Sequence, residues 1–216
     1  MGREKALLEA GGRTLLERLA RTLESRFDSI YVSVGFSGAS VDLTGALWAV
    51  AGANATEMSI VPDLREDGGP LAGVEAALAM LSARGAILQE PSRAFFIPVD
   101  VPTVSFDLVG ALWKGASREG RSGCVPRWRR GLEPTYAVYS TELLREVRQR
   151  LDSGSSAIRD LAELSRVHVL DLEEAVIARG VFGSVTPDLP EIFRNLNGPE
   201  DYEAWRKGRT GRPSIG

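Results

Sequence analysis

Two acidic residues stand where a strand runs into a loop: Asp63, after Glu57-Met-Ser-Ile-Val61, and Asp100, after Ala94-Phe-Phe-Ile-Pro-Val99. In open α/β sheets, ligands collect at the carboxyl ends of strands. Val101-Pro102 follows Asp100, so the strand is expected to stop there and aim the carboxylate into the crevice. Magnesium takes one or two protein carboxylates and fills its shell with water and substrate phosphates, an arrangement a lone strand-end aspartate suits. A helix N-cap or turn aspartate accounts for the position as well. Gly68-Gly-Pro-Leu-Ala-Gly73 opens a helix directly after a strand and loop. Glycines there allow close backbone approach to a ligand, and a helix N-terminus attracts negative charge. An ordinary glycine-rich turn is the simpler account of that segment alone. Neither a G-x-G-x-x-G nor a G-x-x-x-x-G-K-[ST] loop occurs, which argues against dinucleotide-fingerprint and P-loop enzymes.

Other candidates are weaker. His168 alternates with Val167 and Val169 and reads as a strand residue rather than a catalyst, and Cys124, in an apolar strand, reads as inert packing. Arg127, Arg129 and Arg130 cluster around Trp128, either as a solvated hairpin tip or as an anchor for a phosphorylated substrate. Asn195 and Asn197 flank Leu196, and on extended backbone both amides would face one way. A helix-capping turn explains them equally.

The elements that must position these residues alternate short β-branched runs with longer helical periodicity, the pattern of an α/β sheet with crossover helices. Leu15, Leu16, Leu19, Leu23 and Phe27 share a helical face, followed by a strand over 29–35, a helix through Leu43 and Leu47, and the strand at 57–61. Helical spacing resumes from Pro70 through Leu81, and again through Leu108 and Leu112 after the strand at 94–99. Residues 123–128 and 133–139 can pair as a hairpin or as adjacent strands. Helices are expected through Leu143–Leu151 and over 155–164, a strand over 166–172, and a short helix from Pro199.

The composition is bounding. The 216 residues carry Lys+Arg 26 against Asp+Glu 29, a formal net charge of −3, which argues against a general polyanion binder. A single cysteine excludes an intramolecular disulfide and thiolate-rich metal cages, and a single histidine removes most His-based catalytic designs. One domain over 1–206 with a flexible tail over 207–216 is expected, in a cytoplasmic protein.

The ordered pieces resemble the molybdenum cofactor guanylyltransferase family, within the nucleotide-diphospho-sugar transferase-like fold. The resemblance rests on Gly2-x-Glu4-Lys5-Ala6-Leu7-Leu8, Gly12-x-x-Leu15-Leu16-Glu17-Arg18, Asp63 with Gly69-Pro70-Leu71-Ala72-Gly73, and Pro98-x-Asp100-x-Pro102. Glu133-Pro134-Thr135 and Phe193-x-Asn195-x-Asn197-Gly-Pro-Glu-Asp201 complete it, so that it spans nearly the whole chain. It implies a three-layer α/β/α sandwich with a mostly parallel, Rossmann-like sheet. It further implies that Lys5 contacts the nucleotide, Asp63 the guanosine portion and Asp100 a magnesium ion. Gly69 and Gly73 would shape the nucleotide pocket, and Asn195 and Asn197 would lie on the pterin side. The position of Ser33 is often asparagine in the family, so that contact is expected to be altered or absent.

The implied reaction transfers GMP from GTP to the phosphate of molybdopterin, releasing pyrophosphate. Proteins that supply or accept the cofactor would be transient partners, with no nucleic acid or membrane involved. A related CTP- or sugar-phosphate nucleotidyltransferase is the nearest alternative, and a non-catalytic nucleotide- or pterin-binding protein is another. The resemblance also implies a strand and a glycine-rich loop ahead of Met1, the strand lying between those at 29–35 and 94–99. Residues 1–216 alone are accordingly expected to be aggregation-prone and to bind GTP weakly.

Overall fold

A capping box starts the first helix. Thr14 Oγ1 accepts the Glu17 backbone N–H at 3.1 Å, and the Glu17 carboxylate accepts the Thr14 N–H at 2.6 Å. This satisfies two donors that a helix start otherwise leaves unpaired. The helix that follows, α1 (Leu15–Leu23), buries Leu15, Leu16, Leu19, Ala20 and Leu23, whereas Phe27, expected on the same helical face, lies beyond its end and packs against Leu19, Leu23 and Ile30 from there. The structure, a computed structural model, describes residues 5–9, 12–51, 57–88, 91–101, 103–129, 131–173, 188–196, 200–201 and 203–205. Residues of the tail at 207–216 lie outside them.

Two strands next form a parallel pair. β1 (Ser29–Val34) and β2 (Glu57–Pro62) run in register from Ser29 opposite Glu57 to Val34 opposite Pro62, joined through α2 (Val41–Ala51). After β2 comes the long helix α3 (Gly69–Leu88), with Pro70 in its first turn, where the missing N–H is harmless.

The second sheet is mixed. β3 (Arg93–Phe96) pairs antiparallel with β6 (Ala137–Ser140), which pairs antiparallel with β4 (Gly123–Trp128). β5 (Gly131–Leu132) folds back on the end of β4 as a short hairpin, so residues 123–139 supply both a hairpin and adjacent strands. β7 (Val167–Asp171) lies parallel along the opposite edge of β4. Side chains alternate across this sheet. Cys124, Tyr136 and Val138 pack with Leu108 and Leu112 of α4 (Phe106–Ala116). Val125, Ala137 and Tyr139 pack on the other face with Leu71 and Leu78 of α3 and Val147 of α5 (Leu144–Asp152). The result is three layers, helices on both faces of a sheet. A short helix, α6 (Leu189–Ile192), returns Ile192 to the α4 layer, and the described residues 200–201 and 203–205 are helical, as expected from Pro199 onward.

Two expectations need correction. The strand expected over 94–99 is only Arg93–Phe96, because its ladder ends where β6 begins at Ala137, and Pro98 has no N–H to extend it. The helix expected over 155–164 is a 3-10 helix over Ile158–Glu163. There Ser155 Oγ donates to the Asp160 carboxylate at 3.0 Å and Arg150 to the Asp160 carbonyl at 3.3 Å, local bonds that compete with regular α-helical pairing.

The two sheets do not join. Among the described residues β1 pairs only with β2, and β3 only with β6. Between β1 and β3 lies a cavity of about 1030 Å³, bounded by 28–35 on one side, 92–99 on the other, and Leu16, Leu19 and Leu23 of α1.

Candidate active site

At the carboxyl ends of β1, β2 and β3 the cavity is lined by Lys5, Ser33, Asp63, Gly69 and Gly73 together with Pro98 and Val99. Lys5 arrives on a 3-10 helix (Lys5–Leu7) whose Ala6 and Leu7 pack against the Leu16–Val34 cluster. Its Nζ lies 3.0 Å from Asp100 Oδ2. Asp100 sits in the turn after β3, closed by the Val101 N–H to the Pro98 carbonyl at 3.2 Å. Its side chain is 18% exposed against 47% for Lys5, so the carboxylate is the better-anchored partner. Two residues far apart in sequence are thus brought into direct contact.

Asp63 follows β2, with its N–H bonded to the Val34 carbonyl at 2.9 Å. Ser33 Oγ donates to Asp63 Oδ1 at 3.1 Å. The serine expected to have lost a nucleotide contact therefore orients the aspartate instead. Burial raises the Asp63 carboxyl above its ordinary value, and the Ser33 hydrogen bond opposes that in part. A carboxyl raised in the folded state costs stability above its folded pKa, and the cost fades as pH falls through that value toward the unfolded one. Asp63→Asn is therefore expected to raise the melting temperature slightly at neutral pH while weakening nucleotide binding. Thermal melts at pH 7 and pH 4 check the first half: the gain should be present at pH 7 and shrink at pH 4.

Gly69 takes a φ of 56°, which only glycine adopts without strain, and so starts α3. Gly73 is required for space. A Cβ there would lie 2.6 Å from Ser33 Oγ and 3.6 Å from Asp63 Oδ1. Elsewhere in a helix, Gly→Ala gains about 1 kcal/mol. Here Gly73→Ala is expected to displace Ser33 and Asp63 and raise the KM for nucleotide. Adding Ser33→Ala should restore KM toward wild type, and steady-state kinetics of the single and double variants decide it.

Of the two C-terminal asparagines, the structure places Asn195. The Leu196 N–H bonds the Asp100 carbonyl at 2.9 Å, which brings the 194–196 segment, with Asn195 exposed, beside the Lys5–Asp100 pair. Asn197 lies outside the described residues, as do Gly2, Glu4 and Pro102. Thr135 also lines the cavity, and burial raises the carboxyl of Glu133, two positions before it, above its ordinary value. The arginine cluster is not gathered on the cavity. Arg127 pairs with Asp171 at 2.9 Å, and Arg129 lies 4.3 Å over the Trp128 ring, which stacks on Phe193. Arg130 is outside the described residues. His168 contacts Arg118 and is lowered by burial first and then by Arg118 and Arg121. Cys124 is buried and its thiol is pushed up to about 12 by burial. Neither has the exposure or activation of a catalyst.

A magnesium ion would have to rely on few protein ligands. No group of three or more His, Cys, Asp or Glu that could hold a metal occurs among the described residues. Asp100 nevertheless offers a hard oxygen donor in the turn after β3, paired with one cation already, and that donor chemistry fits an ion completed by phosphate oxygens and water. No helix among the described residues is long and apolar enough to cross a membrane.

Helices on both faces of a sheet, with a crevice at the strand ends, define an open α/β protein. The crystal structure of molybdopterin-guanine dinucleotide biosynthesis protein A from Archaeoglobus fulgidus aligns over 98% of this chain and 93% of its own, with a TM-score of 0.69 and 18% identity. 4-Diphosphocytidyl-2C-methyl-D-erythritol synthase from Anaerococcus prevotii aligns over 95% and 93%, with a TM-score of 0.60 and 11% identity. A model of the MobA-like NTP transferase domain matches residues 1–169, and the chain belongs to that family. A probable molybdenum cofactor guanylyltransferase of Pelotomaculum thermopropionicum is 29% identical over 98% of this chain and 90% of its own length. One of Methanosarcina acetivorans is 31% identical over 93% and 81%.

Proposed function

We propose that the protein transfers GMP from GTP to the phosphate of molybdopterin. The observation that carries this reading is the Lys5–Asp100 contact at 3.0 Å, set at the strand ends beside a cavity that Ser33, Asp63, Gly69 and Gly73 also line. The names of relatives covering 90% and 81% of their own lengths support the same substrates.

In the reaction a phosphate oxygen of molybdopterin attacks the α-phosphorus of GTP. The new P–O bond forms as the bond from the α-phosphorus to the bridging oxygen breaks, and the electron pair leaves on pyrophosphate. A phosphate monoester has its second pKa near ~6, so the nucleophile is largely ionised at neutral pH, and the chain's lack of a histidine at the site is consistent with that. Lys5 places a positive charge against the phosphates. Asp63, steadied by Ser33, accepts hydrogen bonds from the guanine edge, and Gly73 keeps the wall low enough for the base. Asp100 would hold a magnesium ion, which when bound neutralises phosphate charge. Positioning and charge neutralisation are sufficient catalysis for a reaction of this kind. Asn195 and Asn197 are assigned to the pterin side by the family resemblance, and Asn195 adjoins Leu196, whose N–H bonds the Asp100 carbonyl.

The deciding experiment is pyrophosphate release from GTP and from CTP with molybdopterin as acceptor. A site whose hydrogen bonds fit one base rejects another strongly. GTP is expected to be turned over and CTP rejected. Equal turnover of the two would remove the guanine assignment, and nucleotide binding without release would favour a protein that only binds.

A further inference from the structure

The loop from Asp63 to Gly68 joins β2 to α3 and carries a nucleotide-site residue at its start. Both ends are fixed. Asp63 is bonded to Val34, and Gly68 is so close to α3 that a Cβ there would sit 2.5 Å from Ala72 Cβ. Between them Leu64, Glu66 and Asp67 are exposed. Arg65 alone in this stretch reaches into the body of the protein. Its Nε and Nη2 grip both oxygens of Glu75 at 2.7 and 3.1 Å, and its Nη1 reaches Asp152 Oδ1 on α5 at 2.6 Å. Arg148 of α5 adds a contact to Glu75 Oε1 at 3.3 Å.

Glu75 is the unexpected member. It is 2% exposed, on a helix whose neighbouring Leu71, Ala72, Val74, Ala76 and Leu78 are all buried and apolar. A buried carboxylate costs desolvation that its ion pairs repay only in part, and well-packed apolar replacements of such networks are often as stable or more so. Stability alone does not account for this arrangement. Its bidentate geometry does fix direction, because a planar guanidinium on a carboxylate admits little rotation.

We infer that Glu75 and Arg65 form a positioning clamp that holds the Asp63–Gly68 loop against α3 and α5 and so sets the affinity for nucleotide. The inference rests on the reading that Asp63, Gly69 and Gly73 hold the nucleotide. Neither clamp residue touches substrate. Glu75 acts through Arg65, and Arg65 acts through the loop that carries Asp63 two positions away.

The test pairs Arg65→Met with Glu75→Leu in one variant of the full chain, so that no buried charge is left alone. Its melting temperature should match or exceed that of the wild type. The Kd for GTP, by calorimetry, should rise about tenfold, the scale at which network residues remote from a ligand act. The KM should rise with it while kcat stays within about twofold. Hydrogen exchange of the amides over 64–68 should quicken without nucleotide, a readout independent of turnover. Arg65→Lys, which keeps charge but not the fork, should fall between. Unchanged GTP affinity and unchanged exchange in the double variant, with Asp63→Asn weakening GTP binding, would overturn the clamp alone. Unchanged affinity in both the double variant and Asp63→Asn would overturn the nucleotide-site reading and the clamp with it.

Discussion

Asp100→Asn is expected to lower nucleotidyl transfer by about a hundredfold or more, the scale of losing a preorganised charge at a reacting phosphate. The melting temperature should scarcely move. The Lys5–Asp100 pair has a half-exposed lysine, and such pairs contribute little to stability. The backbone bond from Leu196 to the Asp100 carbonyl does not depend on the carboxylate, so the C-terminal segment should stay in place. The substitution keeps size and one oxygen while removing the charge that both Lys5 and a magnesium ion would need. Pyrophosphate release at saturating magnesium, beside a thermal melt, separates the two effects. Turnover within about threefold of wild type would take Asp100 out of the machinery.

The parts of this site that were legible in the sequence share a physical cause. Asp63 and Asp100 could be found because strands announce themselves by β-branched and aromatic runs, and the residue after such a run is placed by the fold. Gly73 was legible only as one of a glycine-rich set. Its requirement, the 2.6 Å approach of Ser33 Oγ to a would-be Cβ, arises between residues forty positions apart. The Ser33–Asp63 bond was hidden for the same reason, since it depends on the parallel register of β1 and β2. Glu75 did leave a signal, a charged residue on the apolar face between Leu71 and Leu78, but its partners Arg65 and Arg148 come from a loop and from α5. Elements with strong periodicity, α1 above all, appeared where expected. β3 proved shorter than its apolar run, because strand length is set by the partner β6 as much as by composition.

Filling the gap between β1 and β3 with an added apolar strand and glycine-rich loop is expected to raise the melting temperature markedly above that of residues 1–216, and to tighten GTP binding. β1 is paired only with β2 and β3 only with β6 among the described residues, and the faces they turn to each other border a cavity of about 1030 Å³. Leu16, Leu19 and Leu23 of α1 also border it, so its walls are largely apolar. Backbone groups that face such a space without a strand partner cost roughly 1–3 kcal/mol each when buried. A strand in the slot would pair with both edges and bury its side chains against α1. Satisfying even about three such groups would shift the melting temperature by about 10 °C in a protein of this size. The same insertion would bring loop N–H groups to the end of the slot where Lys5, Asp63 and Gly73 lie, which is where triphosphate charge must be met. The two gains should therefore appear together. Differential scanning calorimetry and GTP titration of both forms are the measurements. If residues 1–216 melt as cooperatively and as high as the extended form, and bind GTP as well, the gap between β1 and β3 is not a strand site.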